Sequence, residues 1–153
     1  MPTGILVSIY ITAAAGQPMV EAGQVQAIPG SGLDGDRYAS GQGLYSADSG
    51  TGRQVTLIEL EAIEAFNQEQ GLDYPARETR RNLVTQGVPL NHLVGVEFRV
   101  GPVTLRGVRL CEPCDYLARL TRPEVLPGLV HRAGLRADIL TPGLLQPGDE
   151  IEW

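Results

Sequence analysis

A chain of 153 residues with 42% hydrophobic content has the length of one domain (1–153) and enough apolar surface for a core, which excludes a disordered chain. A formal charge of −6 argues against a nucleic-acid binder, and no apolar run approaches the ~20 residues that span a bilayer. With only two cysteines, three positions apart, a secreted disulfide scaffold is also excluded, and the expected compartment is the cytoplasm.

In chain order, residues 4–11 read as a first strand rather than a leader, because no basic segment precedes them and Ser8 and Tyr10 interrupt the apolar run. Residues 23–28 read as a second strand. Residues 28–53 form a long Gly/Ser/Asp-rich stretch with no clear element, and 41–52 is its most flexible part. Gly30, Gly32 and Gly35 match the G-x-G-x-x-G spacing of dinucleotide sites, but residues 36–41 do not open an amphipathic helix, so a glycine-rich turn is expected. Residues 54–58 read as a strand running into a helix. Thr56 and Glu59 have capping-box spacing, Leu60, Ile63 and Phe66 share one helical face, and Gly71 stops the helix.

Further strands are expected at 82–85, 97–100, 103–110, 135–140 and 150–153, with a turn or short helix at 90–93 and short helices at 115–120 and 124–129. Strands dominate without a steady β-α-β alternation. This predicts a mainly β fold with a few helices, an α+β arrangement built on a curled sheet or barrel.

All twelve basic residues are arginine, and ten of them lie between Arg77 and Arg136 with only five acids, a local net of +5. Arginine is suited to bidentate binding of phosphate and carboxylate, so this stretch predicts a site for an anionic small molecule. The absence of lysine excludes a Schiff base, and with it covalent pyridoxal phosphate. Arg80 and Arg81 are adjacent, and neighbours on a strand point to opposite faces, so one of them at most is expected in a given pocket.

Cys111-Glu112-Pro113-Cys114 is the most specific feature. The spacing permits a redox disulfide, half of a zinc site, or a single thiolate acting as nucleophile or soft-metal ligand. The redox form needs a strand–CxxC–helix unit in a β-α-β fold, which fits locally but not along the whole chain. The zinc form needs two more ligands, and His92 and His131 have neither zinc-finger spacing. Two inert buried cysteines fit poorly with a turn that contains Glu112, Pro113 and Asp115.

An ordered series of segments then resembles a known family. It comprises Gly35-Asp36-Arg37, Arg53-Gln54-Val55-Thr56-Leu57-Ile58 with Glu61, Arg80-Arg81-Asn82-Leu83-Val84-Thr85 with Gly87 and Leu90, Phe98-Arg99-Val100-Gly101, Cys111-Glu112-Pro113-Cys114, Gly134-Leu135-Arg136-Ala137, and Gly148-Asp149 with Ile151. Their order and spacing resemble the MOSC family, named for the C-terminal domain of molybdenum-cofactor sulfurases.

The resemblance implies a β-barrel core with short peripheral helices and one functional cysteine, which maps onto Cys114, with Cys111 an additional cysteine. In the family that cysteine ligates molybdenum of a bound pterin cofactor or carries sulfur as a persulfide. Relatives with the metal reduce N-hydroxylated compounds, as does the amidoxime-reducing component of mitochondria. The family's Arg-x-Asn maps onto Arg80 and Asn82, and Arg81, Arg136 and Asp36 fall in the same matched segments as further cofactor-binding candidates. The implied partners are a separate electron-donor reductase or a cysteine desulfurase, and exposed edge strands would favour a homodimer. Two readings from other classes stand beside this one: a non-catalytic domain binding a phosphorylated small molecule, and a CxxC thiol-redox protein.

Overall fold

The computed structural model describes residues 2–43 and 51–153. Its strands are β1 (Thr3–Ile11), β2 (Val20–Ala22), β3 (Val25–Ile28), β4 (Gly32–Leu33), β5 (Val55–Glu59), β6 (Leu83–Gln86), β7 (Glu97–Val100), β8 (Val103–Leu110), β9 (Leu135–Ile139), β10 (Gly143–Leu145) and β11 (Glu150–Glu152). The helices are α1 (Arg37–Ser40), α2 (Leu60–Gln70), α3 (Asp115–Leu120) and α4 (Val125–Gly128), with 3-10 turns at Ala76–Thr79 and Leu90–Leu93.

The larger sheet runs β11-β7-β8-β9-β5-β6-β1-β2, and β11 also pairs with β1. That pairing closes seven strands into a barrel and leaves β2 as a flap on β1. β5 and β6 run parallel, joined by α2, and the other neighbouring pairs of this sheet are antiparallel. A second sheet, β10-β3-β4, lies beside it.

The barrel forms because alternate residues of its strands are apolar. In β7, Phe98 and Val100 are buried while Glu97 and Arg99 face solvent. Leu6, Leu57, Leu83, Leu105, Leu135 and Ile151 join them in one core cluster. A second cluster lies outside the barrel beneath the helices, built from Phe66, Tyr74, Leu117, Val125, Leu129 and Ala133, with Cys114 at its margin. Phe66 and Tyr74 meet edge to face at 5.6 Å. The Tyr74 hydroxyl donates to the carbonyl of Glu78 at 2.7 Å, which ties the segment before Arg80 to this cluster.

Several expectations change in detail. Thr56 does not cap α2, since it is a buried residue of β5. The helix begins at Leu60 with Glu59 at the N-cap position and no side-chain cap bond. Sheet pairing with β9 and β6 holds the backbone extended through Glu59, which outweighs the local capping signal. The stretch at 28–53 contains β4 and the four-residue α1, so it is not without elements. Within the glycine-rich segment, residues 29–31 make the turn from β3, and Gly32 and Leu33 are β4 itself. The flexible segment expected at 41–52 lies partly outside the described residues. No described helix is long and apolar enough to cross a membrane.

Candidate functional site

A cleft of about 510 Å³ of empty space, including its open mouth, lies between one end of the barrel and the helical cluster. Arg37, Arg80, Arg81 and Arg136 line it together with Tyr38, Tyr116, Glu112 and Cys114. Segments far apart in sequence thus converge there, and each is held for a local physical reason.

Arg80 ends the 3-10 turn Ala76–Thr79 in the left-handed conformation, with φ of 62°. It is not a strand residue, because β6 starts only at Leu83. The opposite-face expectation for Arg80 and Arg81 therefore fails, and both line the cleft. Nη1 of Arg80 donates to the carbonyl of Gln17 at 2.8 Å. Its Nη2 is buried and has no hydrogen-bond partner among the described residues. Burial, and then the nearby Arg37 cation, push the Arg80 guanidinium below its ordinary pKa. A buried cationic donor in that state favours an anion beside it.

Arg81 is only 8% exposed, and its guanidinium acts as a fastener. Nε donates to Ala133 O at 2.7 Å, Nη1 to Thr79 O at 3.2 Å, and Nη2 to Cys111 O at 2.9 Å and Glu112 O at 3.4 Å. The amide of Cys111 donates to Gly134 O at 2.8 Å. Gly134 is required there: its φ is +121°, and a Cβ would run into the carbonyl of Leu57 on β5. The polar turn of the CxxC segment is thereby pinned between Arg81 and the start of β9.

Cys114 occupies the N-cap position of α3 with extended backbone, and it is half-buried at the cleft wall. Cys111 is 2% exposed and does not line the cleft. Both are free thiols. Of the two cysteines, then, Cys114 has access to a ligand. Among the described residues, no group of three or more His, Cys, Asp or Glu side chains is placed to hold a metal.

Glu112 is the acid at the cleft wall, and His131 grips it. The His131 amide donates to Oε1 at 2.7 Å and the ring Nδ1 lies 2.6 Å from Oε2. Burial pushes the Glu112 carboxyl up, but the His131 bonds and the Arg81 charge outweigh it and hold the group below its usual range.

Asp36 and Asn82, cofactor-binding candidates from the sequence, do not line the cleft. Both are completely buried. Asp36 Oδ1 accepts from Thr12 N and Arg37 Nη1, each at 3.1 Å, and Oδ2 accepts from Tyr38 N at the start of α1. Asn82 Oδ1 accepts from the amide and hydroxyl of Thr56, and its Nδ2 donates to Tyr10 O, so it stitches β5 to the end of β1. Their place is behind the site. Arg37, Tyr38 and Tyr116 were not singled out from the sequence. Arg37 was visible only as the neighbour of Asp36, and nothing marked the tyrosines.

The profile of the MOSC domain matches residues 44–152. Among curated proteins no sequence matches the chain. Among solved structures, the YuaD protein of Bacillus subtilis is similar with a TM-score of 0.82 and 16% identity, covering 98% of this chain and 94% of that one. YiiM of Geobacillus stearothermophilus follows with a TM-score of 0.72 and 15% identity, covering 99% and 74%. YiiM of Escherichia coli has a TM-score of 0.59 and 18% identity, covering 99% and 67%. The structural likeness establishes the shared barrel, the profile spans most of the chain, and on those grounds this protein belongs to the MOSC domain family, whose members are associated with the molybdenum cofactor.

Proposed function

We propose that this protein binds a phosphorylated molybdenum–pterin cofactor in the arginine cleft, with the Cys114 thiolate as protein ligand to the metal, and serves in reduction of N-hydroxylated compounds. The observation that carries the reading is the buried, unpartnered Nη2 of Arg80 in the same cleft as the accessible Cys114.

The residues present fit such a group. A terminal phosphate suits the guanidiniums of Arg80 and Arg37, and a thiolate suits a soft metal site. A cleft of a few hundred Å³ is in the usual range for a small-molecule site. When bound, the cofactor supplies two-electron reduction chemistry. The chain's own residues bind and orient it: Arg81 fixes the Cys111–Glu112 turn so that Cys114 faces the cleft, and Tyr38 and Tyr116 narrow the space beside it. Cleavage of an N–O bond to amine and water consumes two electrons and two protons, and the electrons are taken to come from a separate reductase.

A second reading, sulfur transfer, is favoured by the accessibility of Cys114. Its thiolate would attack the outer sulfur of a persulfide on a cysteine desulfurase, forming the Cys114 persulfide and releasing the donor's thiolate. Cys111, buried outside the cleft, has no evident part in that exchange.

The test is metal and pterin content per chain after anaerobic purification from a host that makes the cofactor. Near-stoichiometric molybdenum and pterin in wild type, lost in Cys114→Ser and reduced in Arg80→Gln, is the expected result. Absence of both from wild type overturns the cofactor reading, and mass analysis for sulfur on Cys114 then decides the second.

A further inference from the structure

Three separate segments of the chain leave the Cys114 cleft and run on into a second cavity. In α3, Tyr116 and Leu117 line the cleft, while Leu120 and Thr121, one turn further along, line the second cavity. The amide of Thr121 donates to Leu117 O at 3.0 Å, so the helical register holds to that point. Residues four apart on a helix share a face, and one turn advances about 5.4 Å, so the two spaces are neighbours along one face of α3. The 3-10 turn before β6 repeats the pattern, with Arg77 and Glu78 in the second cavity, Arg81 in the cleft, and Arg80 bordering both. So does the loop after β1, which gives Ala15 to the cleft and Gly16, Pro18 and Met19 to the cavity beyond.

The partition between the two spaces is thin. It consists of Arg80, whose Nη1 donates to Gln17 O at 2.8 Å, and of the close approach of Gly16 to Tyr116. A Cβ on Gly16 would stand 3.2 Å from the Tyr116 hydroxyl oxygen, and the φ of +79° there favours glycine.

The second cavity holds about 590 Å³ of empty space, including its open mouth. Pro18, Met19 and Leu120 give it an apolar side, and Leu120 keeps 42% of its surface exposed. Covering that side favours an apolar ligand body. The Thr121 hydroxyl is spent on Leu117 O at 2.9 Å, so polar recognition falls to the charged groups. Among the described lining residues these are Arg77, Arg80 and a single acid, Glu78. Among the described residues Arg77 is in no ion pair. Arg80 is shared with the cleft, so this cavity has at most one positive charge to spare. That suits the single charge of a carboxylate better than the roughly two charges of a phosphate.

We propose that the second cavity is a specificity pocket for the substrate: it takes an apolar group ending in a carboxylate, which Arg77 anchors while Pro18, Met19 and Leu120 pack around the body. The reacting end of such a substrate lies across the partition, on the Cys114 side. The compounds selected are therefore extended apolar carboxylates with the N-hydroxyl group at the far end. The inference rests on the reductase reading for the chemistry at that end, but the pocket binds its tail without metal.

The experiment is a titration of full-length, isotope-labelled protein, purified without cofactor, with phenylbutyrate, followed by backbone amide NMR. Saturable shifts are expected at Gly16, Met19, Leu120 and Thr121. Arg77→Gln, a change at an exposed residue, should weaken binding about fivefold. Uncharged phenylbutanol should bind the wild type about as weakly as the variant binds the acid. No saturable binding, shifts confined to Ala15, Cys114 and Leu117, or an affinity unchanged in Arg77→Gln overturns the pocket. The two readings fail separately. Protein that takes up no molybdenum yet binds phenylbutyrate in this way overturns the cofactor reading and keeps the pocket, and protein that takes up molybdenum but shows none of these shifts does the reverse.

Discussion

Nη2 of Arg37 donates to the backbone carbonyl of Arg80 at 3.2 Å, so the left-handed turn that aims Arg80 into the cleft is held by another arginine of the same cleft. Arg37 is in turn held by Asp36 at 3.1 Å and stacks on Tyr38, with Cζ 4.6 Å from the ring centroid. A buried carboxylate, two arginines and a strained backbone thus form one chain of support running from α1 to the cleft.

Breaking that chain at its buried end should cost most. Asp36→Ala leaves the Arg37 cation buried without its partner and is expected to lower stability by about 3–5 kcal/mol. Arg37→Ala also leaves a buried carboxylate, but Asp36 keeps its two backbone donors, so a smaller loss of about 2–3 kcal/mol is expected. Urea denaturation of both variants checks the order. A larger loss in Arg37→Ala would show that Asp36 is not what anchors the pair.

Asn82 should behave as a structural clamp. Its amide is completely buried and bonds Thr56 twice and Tyr10 once. Asn82→Ala strands the Thr56 amide and hydroxyl and the Tyr10 carbonyl, at a cost of about 2–4 kcal/mol. Folded Asn82→Ala protein should still bind inorganic phosphate as wild type does. Lost phosphate binding with unchanged stability would instead place Asn82 in the site.

The two cysteines should separate cleanly. Cys114→Ser changes a half-exposed group and is expected to leave the denaturation midpoint nearly unchanged while abolishing molybdenum content. Cys111→Ser puts a hydroxyl into a position that is 2% exposed and should cost about 1–3 kcal/mol while metal content is kept. Paired measurement of metal content and denaturation midpoint resolves the two.

Glu59 should give a pH dependence of the less usual sign. Burial raises its carboxyl above the ordinary value of 4.5, against the lowering effect of the Leu90 amide bond. The native state then holds the proton more tightly than the unfolded chain. Stability from this group is present in full below pH 4.5 and is lost as pH rises through the raised native value. Glu59→Gln keeps an acceptor for Leu90 N and should flatten that slope. Denaturation midpoints compared across the acid range test this, and an identical slope in the variant would rule out Glu59 as its source.

Much of the framework was legible because it rests on local patterns. The alternation Glu97–Phe98–Arg99–Val100, the glycine-proline turn before Val103, and the Leu60–Ile63–Phe66 stripe each declare an element without reference to the rest of the chain. The CxxC turn and the helix after it were equally local, as was the clustering of arginines. The short pieces β2, β4, β10 and α1 escaped, because elements of two to four residues exist only through their pairing and packing.

By itself, the sequence determined that the chain is mainly β and that arginine supplies every permanent side-chain cation, and it singled out Cys114 as the candidate for the chemistry. Tertiary structure alone decided which arginines meet Cys114 and which polar residues stay behind the wall. Asp36 and Asn82 look like ligands in a linear reading, and Arg37 looks like a bystander. Burial reverses those roles, because a carboxylate or amide removed from water must be saturated by the protein's own donors and acceptors and has none left to offer a ligand.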